Sequence, residues 1–279
     1  MFPSIFQTGI NRRRWLAVVV ALGVGLPTLA FAQDRGRTLR VLCYNIHYGQ
    51  GMDGVYDIPR LAAVINQAKP DLVALQEVDV GVKRSGRVHQ AQELGRLTGM
   101  AVRFGPAQHY EGGLFGNAVL TRLPILDVAI HPLPYTESTP ERITYPRAAI
   151  AVVVRGPGDQ PIRFVSTHFQ HNVPEDRAAE AETVNGLLAD PGDPLPTILA
   201  GDINAVPADE PVQILQQRWT CALDDPPAPT VPSVKPTSRI DYIFYRPETR
   251  FRLIQAEVIA ESMASDHRPV LAVLELLEQ

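Results

Sequence analysis

The sequence predicts an α/β fold, and three observations carry that expectation. Short apolar runs alternate with segments whose apolar residues recur at helical spacing. Glycine clusters and many of the 25 prolines punctuate the joins. The second half of the chain repeats the strand, helix, strand order of the first. At 279 residues, 45% hydrophobic, the chain is long enough for one extended core, and a single domain is expected.

Taken in order, Leu39 to Asn45 reads as a strand that breaks at Gly49, Gly51 and Gly54. A helix follows: Asp57 can cap it, Pro59 fits its first turn, and Leu61, Val64, Ile65 and Ala68 share one face until Lys69-Pro70 closes it. Asp71 to Leu75 is a short buried strand ending at Gln76-Glu77. Leu94 and Leu97 mark a short helix, and Ala101 to Gly105, Asn117 to Thr121, Ala148 to Val154 and Ile162 to Thr167 read as strands. A helix from Pro174 to Leu188 leads to a strand from Thr197 to Gly201 and a short helix around Val212 to Leu215. After an extended piece near Trp219 and a proline-rich loop from Pro226 to Pro236, strands at Ile240 to Tyr245 and Pro269 to Leu276 close the domain. Too few residues follow that loop for a separate domain, so it reads as an excursion within one.

Residues 1–32 carry the three regions of a secretory signal: Arg12 to Arg14, an apolar run from Leu16 to Leu26, and Ala30-Phe31-Ala32 as a cleavage site. The apolar run is shorter than the roughly 20 residues a bilayer requires, and Pro27 interrupts it, so cleavage before Gln33 is expected rather than anchoring. No transmembrane segment is expected in the mature domain, residues 33–279, and a periplasmic or secreted location follows. The arginines also suit a twin-arginine signal, and the export route stays open. Of 26 basic residues the signal holds three, which leaves 23 against 30 acidic and a formal charge of −7. Nucleic acid is disfavoured as a partner by that balance, without being excluded. Cys43 lies in an apolar strand, where a small buried hydrophobe is expected, and no disulfide-dependent fold is implied.

The functional signal is positional. Apolar strand after apolar strand ends in a residue that can bind metal or handle protons: Asn45, Glu77, His168, Asp202 with Asn204, and Asp266-His267 before the last strand. Asp241 sits inside an apolar run, where an ionised side chain requires a partner. Asn45 or Asn204 alone could be turn chemistry; the set is not. Carboxylates and amides without a cysteine cluster or a spaced histidine pair suit a hard cation, Mg²⁺ or Mn²⁺, rather than zinc. Such a cation beside an Asp-His pair points to phosphoester hydrolysis.

These residues lie in Cys-Tyr-Asn-Ile-His, Leu75-Gln76-Glu77-Val78-Asp79, Ser166-Thr167-His168, Gly201-Asp202-Ile203-Asn204, Arg239-Ile240-Asp241-Tyr242 and Ser265-Asp266-His267-Arg268-Pro269. The ordered set resembles the endonuclease/exonuclease/phosphatase superfamily over nearly the whole mature chain. The resemblance implies a four-layered α/β sandwich, two mixed β-sheets face to face with helices outside. It implies Glu77 as the principal metal ligand with Asn45 nearby and Asp266 assisting. His267, oriented by Asp241, would be a general base or polarise the phosphate, while Asp202 and Asn204 would orient water. His168 matches the deoxyribonuclease and sphingomyelinase branches, where it faces the phosphate. Arg147 sits where members place a phosphate-binding arginine, and Tyr110 matches a tyrosine that touches phosphate. The expected substrate is a lipid headgroup or small phosphodiester; a secreted nuclease is the alternative, and a non-catalytic binding module a third. The long aromatic hairpin of a membrane-inserting sphingomyelinase is not evident, and the oligomeric state is not legible.

Overall fold

Val41 and Cys43 point to one side of the first strand and Leu42 and Tyr44 to the other, and in the computed structural model these alternate residues enter two different cores. The structure describes residues 37–223 and 226–278. The signal-like segment at residues 1–32 lies outside the described residues.

In the first sheet, β1 (Thr38–Asn45) pairs in parallel with β2 (Leu72–Val80), joined by helix α1 (Ile58–Ala68). Asp57 caps α1, its side chain accepting from the Arg60 amide at 2.9 Å. Helix α2 (Gln90–Thr98) packs with α1 outside this sheet. β3 (Ala101–Tyr110) and β4 (Gly113–Thr121) extend the sheet beyond β2.

The second sheet begins with β5 (Ile125–Pro132), β6 (Ala148–Arg155) and β7 (Pro161–His168). Helix α3 (Pro174–Leu188) then joins β7 to its parallel neighbour β8 (Thr197–Asp202), as α1 joins β1 to β2. Helix α4 (Glu210–Gln216), β9 (Thr220–Cys221) and β10 (Asp241–Arg246) follow. Finally β11 (Phe251–Val258) and β12 (Val270–Leu276) return to the first sheet. The strand orders are β11-β12-β1-β2-β4-β3 and β5-β6-β7-β8-β10-β9, so each sheet has its one parallel pair at the centre.

One apolar core lies between the sheets, a second under α1 and α2, and a third under α3 and α4. This is the expected four-layered sandwich of two mixed sheets. Gln76 crosses the central layer, donating to Ser166 Oγ at 3.1 Å and accepting from Cys43 Sγ at 3.6 Å. Cys43 is buried as expected, its thiol free of any disulfide.

Two strands, β5 and β11, were not evident in the sequence, and β3 and β4 are longer than the apolar pattern implied. β3, β5 and β11 are edge strands with register shifts, at Pro106/Gln108, Ile125/Asp127 and Leu253/Gln255. A bulge adds a residue and breaks the period-two alternation by which a half-buried strand is read.

Candidate active site

The two central parallel pairs end at the same rim, and their register sets the site. Asn45 lies opposite Gln76 at one pair's end and His168 opposite Asp202 at the other's, while antiparallel β10 brings Asp241 beside Asp202. At Glu77 the β2–β4 register shifts and the backbone turns left-handed, with φ 58°. A non-glycine residue holds that conformation at a cost of about 1–3 kcal/mol, and here it turns the carboxylate out of the sheet toward the rim.

Asn45, fully buried, joins the two sheets. Its Nδ2 donates to Glu77 Oε1 at 3.1 Å and to Asp202 Oδ2 at 3.0 Å, and its Oδ1 accepts from the His47 amide. Asp202 Oδ1 accepts from the Asn204 amide at 2.9 Å. Asn204 has φ 52°, a left-handed turn that asparagine tolerates well. Ser265 fixes the last loop, donating to Asn45 O at 2.7 Å and accepting from the His267 amide at 3.2 Å.

His267 Nδ1 donates to Asp241 at 2.9 Å, leaving Nε2 facing Asp202 Oδ2 at 3.7 Å. Burial alone would lower its pKa, but the charge and hydrogen bond of Asp241, with Asp202 and Asp266 behind, reverse this and raise it to about 10. His267 is therefore a cation at neutral pH. Asp202 is pushed up to about 7 by burial and then by Asp241, against the pull of His267 and two hydrogen bonds.

His168 is the opposite case. Burial, then the charges of Arg147 and His267, hold it well below the usual histidine range, so the ring is neutral. Arg147 can only donate, so His168 Nδ1 accepts from its Nη1 at 3.2 Å and the proton sits on Nε2. That Nε2–H lies 3.5 Å from Asp202 Oδ2. The Asn204 Nδ2 atom, 3.0 Å from Nε2, already donates to Phe169 O, so that second contact is donor to donor and not a hydrogen bond. Arg147 is buried, and its Nε finds no partner among the described residues.

The structure thus gathers Asn45, Glu77, Asp202, Asn204, Asp241, His267, His168 and Arg147. Asp266 stands further out, half-buried, 4.0 Å from His267 Nε2 and 3.8 Å from His47 Nε2. Tyr110 is not in this cluster. It lines a cleft of about 190 Å³ that opens from Glu77, Arg147 and His168 past Arg84, Gln108, Phe115, Tyr145 and His171.

Arg84, Gln108, Tyr145 and His171 were not singled out from the sequence. Arg84 lies over the rings of Tyr48 at 3.7 Å and Tyr110 at 4.6 Å and makes a bidentate pair with buried Asp79 at 2.9 and 3.0 Å. The available signal was Asp79 itself, an acidic residue within the Leu75 to Asp79 motif with an arginine five residues on.

The donor set fits a divalent cation. Four carboxylates, Glu77, Asp202, Asp241 and Asp266, face only two cationic side chains, Arg147 and His267, so the site carries excess negative charge. Asp202, Asp241 and His267 offer ligand atoms within 4.8 Å of one another. Asp241 and His267 are spent on each other, however, and the half-buried Glu77 carboxylate beside Asn45 is the better-exposed hard donor. Fold and site together define a metal-dependent hydrolase acting on phosphoesters.

The particular family follows from comparison. Residues 42–267 match the model of the Endonuclease/Exonuclease/phosphatase family, and the chain belongs to that family. Among solved structures, an endonuclease/exonuclease/phosphatase from Beutenbergia cavernae is 27% identical, with a TM-score of 0.70 over 86% of this chain and 72% of that one. The mannosyl-6-phosphatase Bt3783 of Bacteroides thetaiotaomicron is 20% identical, with a TM-score of 0.69 over 86% of this chain and all of that one. The human Nocturnin catalytic domain, solved with a bound sulfate anion, is 19% identical with a TM-score of 0.66, covering 86% and 95%.

Proposed function

We propose that the chain is an exported, Mg²⁺-dependent phosphoesterase that cleaves a phosphodiester by in-line attack of water, its substrate a lipid headgroup or other small phosphodiester. The observation that carries this reading is buried Asp202, within 4 Å of both a cationic His267 and a neutral His168, the latter lining a cleft with Glu77 and Arg147.

Glu77, Asn45 and Asp266 are the residues that would hold Mg²⁺, which when bound would supply Lewis-acid chemistry at a phosphoryl oxygen. Asp202, poised near neutral pH, accepts the proton of the attacking water, and Asn204 fixes its carboxylate through the backbone amide. His267, charged because Asp241 holds its Nδ1 proton, faces the phosphate rather than acting as base. Arg147 and the His168 Nε2–H meet the charge that develops on the phosphoryl and leaving oxygens.

Export is supported by the basic, apolar and small-residue regions of residues 12–32. A small substrate is supported by the size of the cleft and by the excess of acidic residues, which weakens phosphate-rich polymers as partners. A structural neighbour named as a mannosyl-6-phosphatase supports a small substrate as well. The test is a panel assay of residues 33–279 with Mg²⁺ on plasmid DNA, sphingomyelin, phosphoinositides and small phosphomonoester and diester reporters. Turnover of the small esters with intact plasmid is expected; rapid plasmid nicking with no small-ester turnover would make the chain a nuclease instead.

A further inference from the structure

Two strained stretches of backbone adjoin the residues that would hold the cation, and one buried carboxylate is tied to both. Glu77 is the first, at φ 58° in the bulge of β2. The second is the turn that leaves β1. There His47, Tyr48 and Gly49 have φ of 46°, 42° and 87°, a left-handed run in which only the glycine is at ease. This turn reaches two of the cation residues. The His47 amide donates to Asn45 Oδ1 at 3.0 Å, and His47 Nε2 lies 3.8 Å from Asp266 Oδ2.

Such conformations persist only where the surroundings impose them. At Tyr48 the constraint starts from Asp79, two residues beyond Glu77. Asp79 is fully buried and accepts from Arg84 Nε and Nη2 at 2.9 and 3.0 Å, and the Arg84 guanidinium lies over the Tyr48 ring at 3.7 Å. The Asp79 amide donates to Gln90 Oε1 at 2.9 Å, and Gln90 Nε2 donates to the Tyr48 carbonyl at 2.6 Å. Two routes thus run from Asp79 to Tyr48, one ending on its ring and one on its backbone.

We propose that Asp79, Arg84 and Gln90 are positioning residues that brace the Tyr48 turn against β2, so that Asn45 and Glu77 are set for a divalent cation before it binds. The proposal rests on the cation assignment above and adds what prearranges it; the hydrolytic reading uses none of the three. A buried ion pair contributes little to stability beyond apolar packing, and fixing one arrangement is its better-attested use. Charge and position make opposite predictions for Arg84. It lines the cleft with Glu77 and feels its charge, so as a charge alone it would repel a cation, and its loss would tighten binding. As a brace, its loss weakens binding.

The test is calorimetric titration of Mg²⁺ into residues 33–279 without substrate. Partners behind a metal ligand are worth about 10–100-fold in affinity, so Arg84→Met and Gln90→Met should each weaken Mg²⁺ binding about tenfold. Arg84→Lys keeps the charge but not the fork, and it should weaken binding in the same direction even where Arg84→Met does not fold. Arg163→Met removes the Arg163–Asp193 pair toward the other end of β7 from His168 and should leave binding unchanged. Binding unchanged or tightened in the Arg84 or Gln90 variants, or weakened equally in Arg163→Met, overturns the proposal. Should the wild type bind no Mg²⁺, the function above fails, and hydrogen exchange of residues 45–50 and 76–79 then decides this inference. Faster exchange there in Arg84→Lys keeps it; unchanged exchange rejects it.

Discussion

His168 and His267 approach the same oxygen of Asp202, at 3.5 and 3.7 Å, and both are buried. Yet one is neutral and the other charged. Burial disfavours the cation at both, so it cannot be the cause of the difference; the partner at Nδ1 is. Asp241 accepts from His267 and stabilises its charge, whereas Arg147 donates to His168 and forbids it. The lesson is that the residue one bond further from the substrate sets the role of each ring.

The strongest way to break this contrast is to remove the charged ring. His267→Ala should lower kcat by about 10³-fold, and because it leaves the buried Asp241 carboxylate unpaired it should also lower the melting temperature, so rates are compared below the variant's transition. His168→Ala removes one donor to the developing charge, and a loss of about 10²–10³-fold is expected. If the two losses were equal and left the same pH profile, the assignment of opposite states would be wrong.

Asp241→Asn sharpens the contrast without deleting either ring. A histidine with a raised pKa is charged below that value, so in the wild type the cation persists to about pH 10. Without the carboxylate its pKa should fall toward the ordinary histidine value of about 6.5, and activity should decline as pH rises through neutrality. NMR titration of the ring, beside rate profiles from pH 5 to 9, reads both.

The smallest effect belongs to a buried carboxyl near Arg147. Glu180 in α3 accepts from the Gln170 amide at 2.8 Å, but its Oε1 has no partner among the described residues. Burial, only partly offset by that hydrogen bond and by Arg147, raises its pKa from 4.5 to about 8. The folded state then binds more protons than the unfolded one between these values, so this group reduces stability as pH rises from about 4.5 to about 8. Glu180→Gln should flatten that slope and melt higher than the wild type at pH 8.5, by about 2–4 °C for each kcal/mol recovered. Parallel melting curves across that range would refute it.

Much of this was legible in the chain itself. Central strands are apolar on both faces, and the polar residues that end them stand out against that background, which is why Glu77, Asp202, Asp241 and His267 could be named. Asp241 was the clearest, since a strand-interior carboxylate requires a partner. The edges were less legible because bulges in β3, β5 and β11 disturb the alternation. The rest of the cleft lining was hidden for another reason. Arg84, Gln108, Tyr145 and His171 come from separate loops and an edge strand, and nothing in their local sequence distinguishes them from surface residues. The protonation states were equally out of reach, because they depend on neighbours 21 and 26 positions away in sequence.

The most direct test of the account is Mg²⁺ dependence at this junction. Residues 33–279 are treated with EDTA and assayed on bis(p-nitrophenyl) phosphate before and after Mg²⁺ is returned, alongside Glu77→Gln. No turnover is expected after chelation, with recovery on Mg²⁺ in the wild type and a much higher Mg²⁺ requirement in the variant. Turnover that survives chelation, or a variant with an unchanged Mg²⁺ requirement, would contradict it.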